Sequence, residues 1–176
     1  PIMWEDKIKG EMVFEGSKIA DPVLFREDGT MTYSLASVVD DIDLGITDII
    51  RGEDHVSNSA VHVQMFEALG AKSPNFAHLA LFKAKNAEIS KRTGGFSIRQ
   101  LRKQGVTPIA ILSFLSSIGT SSPMEAKNSL HELLDAFDLS KFSKAPVLYD
   151  EADITRLHLK VLHHMPYGDV ASQIEE

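Results

Sequence analysis

The chain has 176 residues, 43% of them hydrophobic and 24% charged, with a formal net charge of −7, a balance that fits a globular protein of one or two domains with an ordinary core. It contains no cysteine, which excludes disulfides and thiolate metal sites and suits the cytoplasm. No apolar run is long enough to cross a bilayer, the opening PIMWEDKIKG lacks the pattern of a secretory leader, and the acidic total disfavours a general nucleic-acid binder.

In chain order, Met12 to Phe14 and then PVLFR (Pro22 to Arg26) read as strands, with EDGT (Glu27 to Thr30) as the turn that follows. TYSLASVVD over residues 32–40 predicts a helix with Leu35, Val38 and Val39 on one face. TDIIRG (Thr47 to Gly52) predicts a buried strand ending in charge. Ser57 to Gly70 predicts a helix capped by the serine, packed through Val61, Met65, Phe66 and Leu69, and stopped by the glycine. FAHLALF (Phe76 to Phe82) predicts the next strand, and this strand–helix–strand rhythm implies a parallel sheet with crossover helices.

After about residue 97 the pattern becomes helical. VTPIAILSFLSSIG places Thr107 as N-cap, Pro108 at the first helical position and Gly119 at the end. Ser122 and Glu125 have capping-box spacing ahead of Leu130, Leu133, Leu134 and Phe137. Asp150 can cap a last helix carrying Ile154, Leu157 and Val161, and no strand is expected beyond residue 100. His163 and His164 fall at the carboxyl end of that helix, where the helix dipole favours histidine.

The charge is unevenly placed. Residues 83–103 hold seven basic side chains (Lys83, Lys85, Lys91, Arg92, Arg99, Arg102, Lys103) against one acid, Glu88, a local +6 that leaves −13 for the rest. The segment AKNAEISKRTGGFSI (Ala84 to Ile98) adds two adjacent glycines. In an open α/β sheet, ligands bind beyond the carboxyl ends of the strands. Lysines on a glycine-rich loop placed there can close over a polyphosphate and neutralise charge that builds up during transfer. From the residues alone this is a nucleotide clamp or a solvated surface loop. The other strand end reads IIRGEDH and delivers Arg51, Glu53, Asp54 and His55 to the same edge. Asp40, Asp41 and Asp43 point in different directions on a helix, so they predict no structural metal. Tyr33, near a helix start, either faces a ligand or packs.

The motifs DGTMTYSLASVVDDIDLGITDIIRGEDHVSNSAVHVQMFEALG, FAHLALF and EISKR, in that order and spacing, resemble the second half of the catalytic domain of bacterial glutamyl-tRNA synthetases. The similarity runs from about residue 10 to at least 120. It implies an α/β fold: the second half of a class I Rossmann-type nucleotide fold, followed by an all-helical segment. The implied domains are the end of an inserted β-rich subdomain (1–22), the second half of the catalytic domain with the lysine loop (23–98), and a helical tRNA-stem-contact domain (99–176) that stops before an anticodon-binding module.

The implied activity is ATP-dependent ligation of glutamate to tRNA(Glu), with L-glutamate, ATP with Mg²⁺ and the tRNA as partners, in a cytoplasmic monomer without membrane attachment. Lys91 would be the catalytic lysine that stabilises the ATP phosphates, helped by Ser90 and Arg92. These belong to the KMSKS-like motif Glu88, Ile89, Ser90, Lys91, Arg92. The backbone at Leu81 and Phe82 would border the adenine. Tyr33 and Arg51 would contact the glutamate, where a guanidinium fork suits a carboxylate. Arg99, Arg102 and Lys103 would touch tRNA phosphates.

Three departures from the family pattern stand out. The histidine-containing class I motif is absent, so the chain, which opens at Pro1, is expected to be an excised piece that is inactive alone. Glu88 stands where the loop motif has its first lysine, with Lys83 or Lys85 as the candidate substitute. Ser37 stands where some relatives have an amide side chain. The alternatives are a glutamylating tRNA-modification paralogue, against which the intact SKR and the long helical tail argue, and a non-catalytic module that docks on tRNA or another synthetase.

Overall fold

A computed structural model describes residues 1–84, 97–168 and 171. The chain divides into two compact units, Pro1–Leu81 and Phe82–Glu176. The expected boundary at residues 22/23 therefore falls within the first unit, and that at 98/99 within the second.

The first unit is built on a four-stranded sheet of order β2-β1-β4-β3. Strands β1 (Ile2–Asp6) and β2 (Gly10–Phe14) form an antiparallel hairpin. β3 (Asp48–Gly52) and β4 (Asn75–Leu79) run parallel over five residue pairs, and β1 joins β4 in parallel at Asp6↔Phe76. The first strand escapes a reading of PIMWED by charge alone, yet Trp4 stacks on Phe14 at 5.5 Å and meets Phe76 edge-on at 6.2 Å.

Helix α1 (Tyr33–Asp43) and helix α2 (Val56–Ala68) pack on this sheet. Val38, Met65, Phe66 and Phe76 form the core, with Ile42, Ile49 and Val61 against it. Val38 and Phe66 are fully buried, as the helical spacing requires, while Leu69 is half-exposed. Gly70 closes α2 at φ 69°, a left-handed conformation natural to glycine.

Several expectations need correction. PVLFR is not a strand: only Phe25 bridges, to Met31, across a tight turn held by Arg26 N–H donating to Thr30 at 2.8 Å. Pro22 has no N–H to give a ladder, so the segment serves as the arm of a turn. β3 is an edge strand with Ile50 about half-exposed, not a buried one. Ser57 does not cap α2, which instead grows out of a 3₁₀ turn, Glu53–His55, with His55 as N-cap. FAHLALF breaks at Ala80, and Phe82 opens a new strand in the second unit.

The second unit contains α3 (Ile98–Lys103), α4 (Pro108–Ser117), α5 (Leu130–Ala136) and α6 (Glu151–His164). Phe114, Ile118, Ile154 and Leu157 make its core. α4 starts as expected with Thr107 as N-cap and Pro108 first, and α6 is capped by Asp150, whose carboxylate accepts from Ala152 N–H.

The cap lies seven residues later than expected, at Ser129 and Glu132 instead of Ser122 and Glu125. Ser129 Oγ accepts from Glu132 N–H at 3.2 Å, and the Glu132 carboxylate accepts from Asn128 N–H at 3.4 Å. Of the predicted apolar face of α5, only Leu133 is buried; Leu130, Leu134 and Phe137 are exposed. A strand does follow residue 100: β5 (Phe82–Ala84) pairs in parallel with β6 (Val147–Tyr149). Three residues are too few to display a period of two, and the partner lies far off in sequence. Among the described residues no helix is long and apolar enough to cross a membrane.

Candidate glutamate and nucleotide site

The register of the parallel strands brings the polar residues together. Arg51 on β3 lies directly opposite His78 on β4, and Asp6 on β1 lies opposite Phe76. All three residues sit at or near the carboxyl ends of their strands, the edge where α/β sheets take ligands.

α2 then lays Ser59 over them. Arg51 Nη2 donates to Ser59 Oγ at 2.6 Å, Ser59 Oγ meets His78 Nε2 at 2.7 Å, and His78 Nδ1 meets Asp6 Oδ2 at 2.5 Å. Asp6 is 1% exposed, and Ser59 and His78 are 0% exposed, so water does not compete for these bonds. Burial pushes the Asp6 carboxyl up, but N–H donors from Lys9, His78 and Ile8 outweigh it and hold the group below its ordinary value. Burial also depresses His78, more strongly than Asp6 raises it, so its imidazole is neutral at pH 7.

Arg51 itself is half-buried, its guanidinium 5.6 Å from the centre of the Phe76 ring. Burial lowers its pKa, with the Tyr33 phenol and the Asp41 carboxylate opposing the shift; an arginine stays charged regardless. Its Nε is buried and has no hydrogen-bond partner among the described residues. Tyr33 is the first residue of α1 and is 59% exposed. The structure therefore brings Tyr33 and Arg51 into one neighbourhood, with Asp41 behind them. Ser37, one turn along α1, turns its hydroxyl back to the Ser34 carbonyl at 3.3 Å.

Glu53 ties the same edge together. Its carboxylate accepts from Lys9 Nζ at 2.6 Å and from Leu81 N–H at 3.3 Å. Leu81 thus ends the first unit on a fixed backbone donor, while Phe82 lies exposed on β5 in the second. Arg99, Arg102 and Lys103 are exposed on α3. Glu88, Ile89, Ser90, Lys91 and Arg92, and with them Lys85, lie outside the described residues.

His62 belongs to the same cluster, with its ring 6.3 Å from Tyr33 and 1% exposed. Neither ring nitrogen has a hydrogen-bond partner among the described residues. Burial first, then the nearby Arg51 and His55, lower its pKa from 6.5 to about 4. Because the folded value lies below the unfolded one, the unfolded chain takes up the proton first as pH falls. Stability is complete above about pH 6.5 and declines down to about pH 4, by roughly 3 kcal/mol in all. His62→Leu is expected to flatten the denaturation midpoint between pH 6.5 and 4; an unaltered slope would show that another group titrates.

The family model for tRNA synthetases class I (E and Q), catalytic domain, matches residues 1–156. The chain belongs to this family. It is 46% identical over 171 residues to glutamate–tRNA ligase 1 of Novosphingobium aromaticivorans, covering 97% of this chain and 39% of that protein. It is 48% identical over 177 aligned positions to glutamate–tRNA ligase 1 of Rickettsia rickettsii, covering 100% of this chain and 40% of that protein. Its backbone superimposes on the crystal structure of a glutamate tRNA ligase from Elizabethkingia meningosepticum, solved in complex with its amino acid. That match has a TM-score of 0.85 at 26% identity and covers 99% of this chain and 39% of that one. The chain spans about 40% of the length of these curated relatives. Within the class I family, the α/β reading and the Rossmann-type origin of the sheet hold.

The sequence offered little warning of Asp6, Ser59 and His78. His78 sits inside an apolar strand, Ser59 reads as a helix-start residue, and Asp6 as surface charge. The one usable signal was the alternation in FAHL, which puts Phe76 and His78 on the same face.

Proposed function

We propose that the chain supplies the second half of the catalytic portion of a glutamate–tRNA ligase, which activates glutamate with ATP and esterifies it to the 3′ end of tRNA(Glu). The observation that carries this reading is the half-buried Arg51 beside Tyr33 at the carboxyl edge of the sheet, its guanidinium bonded to the neutral Ser59 hydroxyl. In this reading Arg51 and Tyr33 hold the glutamate, and the backbone at Leu81 and Phe82 borders the adenine. Lys91 stabilises the phosphates in the transition state with Ser90 and Arg92 beside it, and Arg99, Arg102 and Lys103 meet tRNA phosphates. The protein works as a cytoplasmic monomer.

Among the described residues no group of three His, Asp or Glu converges to hold a metal. In this reading Mg²⁺ accompanies the ATP phosphates.

The test is charging of tRNA(Glu) with labelled glutamate by a full-length protein carrying this segment. Glutamate is expected to be esterified, and Lys91→Ala to lower the activation rate by about 10²-fold or more with the melting temperature unchanged. No charging by the intact protein overturns the reading. Equal loss of rate and stability makes Lys91 a structural lysine.

A further inference from the structure

We propose that Asp6, His78 and Ser59 form a buried hydrogen-bond chain that positions the Arg51 guanidinium for its carboxylate ligand, with Ser59 and His78 as positioning residues of the glutamate site. The inference rests on the reading of Arg51 as the residue that meets glutamate.

The chain has a fixed direction. Asp6 Oδ1 accepts from Ile8, Lys9 and His78 N–H at 3.0, 2.9 and 3.2 Å, which leaves Oδ2 for the imidazole. A carboxylate that receives three backbone donors is ionised, so His78 presents Nδ1–H to it and keeps a lone pair on Nε2. Ser59 has one hydroxyl proton and two acceptors within reach, His78 Nε2 at 2.7 Å and the His55 carbonyl at 3.2 Å. The shorter contact takes the proton. The lone pairs of Ser59 Oγ then face Arg51 Nη2, a group that can only donate.

A single bond to Nη2 from a neutral, fixed oxygen orients the planar fork without neutralising it. Ser59 thereby leaves the positive charge of the guanidinium in place for a ligand. Four elements converge to do this, β1, β4, α2 and β3, so the guanidinium is held before the ligand arrives and loses less freedom on binding. An acidic residue in place of Ser59 would hold the fork as well but would cancel its charge.

The experiment uses a full-length ligase carrying this segment. Ser59→Thr and Ser59→Val add the same bulk and differ by the hydroxyl, so their ratio reads the hydrogen bond even where the added methyl costs stability. The glutamate KM of Ser59→Val is expected to exceed that of Ser59→Thr by about tenfold, with the ATP KM equal within about twofold. In an Arg51→Ala background that ratio should collapse to about one, because Ser59 acts only through the guanidinium.

A Val-to-Thr ratio near one in the wild-type background overturns the positioning role, provided Arg51→Ala still weakens glutamate. A ratio that persists without Arg51, or that affects ATP equally, also overturns it. If Arg51→Ala leaves the glutamate KM unchanged, the glutamate reading itself fails.

Discussion

Arg51→Ala, made in a full-length ligase, is expected to lower kcat/KM for glutamate by about 10²- to 10³-fold while the ATP KM changes by no more than about twofold. Charge-assisted bonds from a guanidinium to a carboxylate contribute roughly 3–4 kcal/mol when the pair is partly desolvated, and that energy corresponds to the stated factor. The selectivity follows from placement. Arg51 lies beside Tyr33, whereas the lysines expected to meet phosphate belong to another segment of the chain. Arg51→Lys should recover only part of the loss, since an ammonium keeps the charge but not the fork. Steady-state kinetics with each substrate varied in turn would decide the matter, and equal weakening of glutamate and ATP would remove Arg51 from the glutamate site.

Asp6→Ala has the largest expected effect on stability, a loss of about 3–5 kcal/mol in chemical denaturation. The substitution leaves three backbone donors and one imidazole N–H facing a cavity that water does not reach. Asp6→Asn should cost less, roughly 1–3 kcal/mol, because its amide oxygen can still accept from the backbone. Its –NH₂, however, would oppose His78 Nδ1–H and force the other tautomer. The sign with pH is also fixed. The Asp6 carboxyl is depressed in the folded state, so its contribution is present above the ordinary aspartate value and is lost as pH falls through the folded one. A midpoint shift below about 1 kcal/mol for Asp6→Ala would mean that the carboxylate is dispensable to the fold.

Much of the architecture could be read without coordinates. The helical spacing of Leu35, Val38 and Val39, the Thr107–Pro108 start of α4 and the Asp150 cap of α6 are local signals, and each is present. The errors share a cause. PVLFR has strand composition but no neighbouring strand beyond a single bridge, and Ile50 has core composition but sits on an edge. β5 and β6 exist because segments far apart in sequence pair with each other. Composition reports what a segment prefers, while pairing depends on what lies beside it.

The sequence by itself determined the family, because long motifs in fixed order survive any uncertainty about where helices begin. It also singled out Tyr33 and Arg51, which the fold of the first unit brings into one neighbourhood. Only the tertiary structure decided how Arg51 is held. A hydrogen bond depends on angle and on tenths of an ångström, and Asp6 and His78, separated by 72 positions in the chain, reach that geometry only because β1 and β4 lie side by side in the sheet.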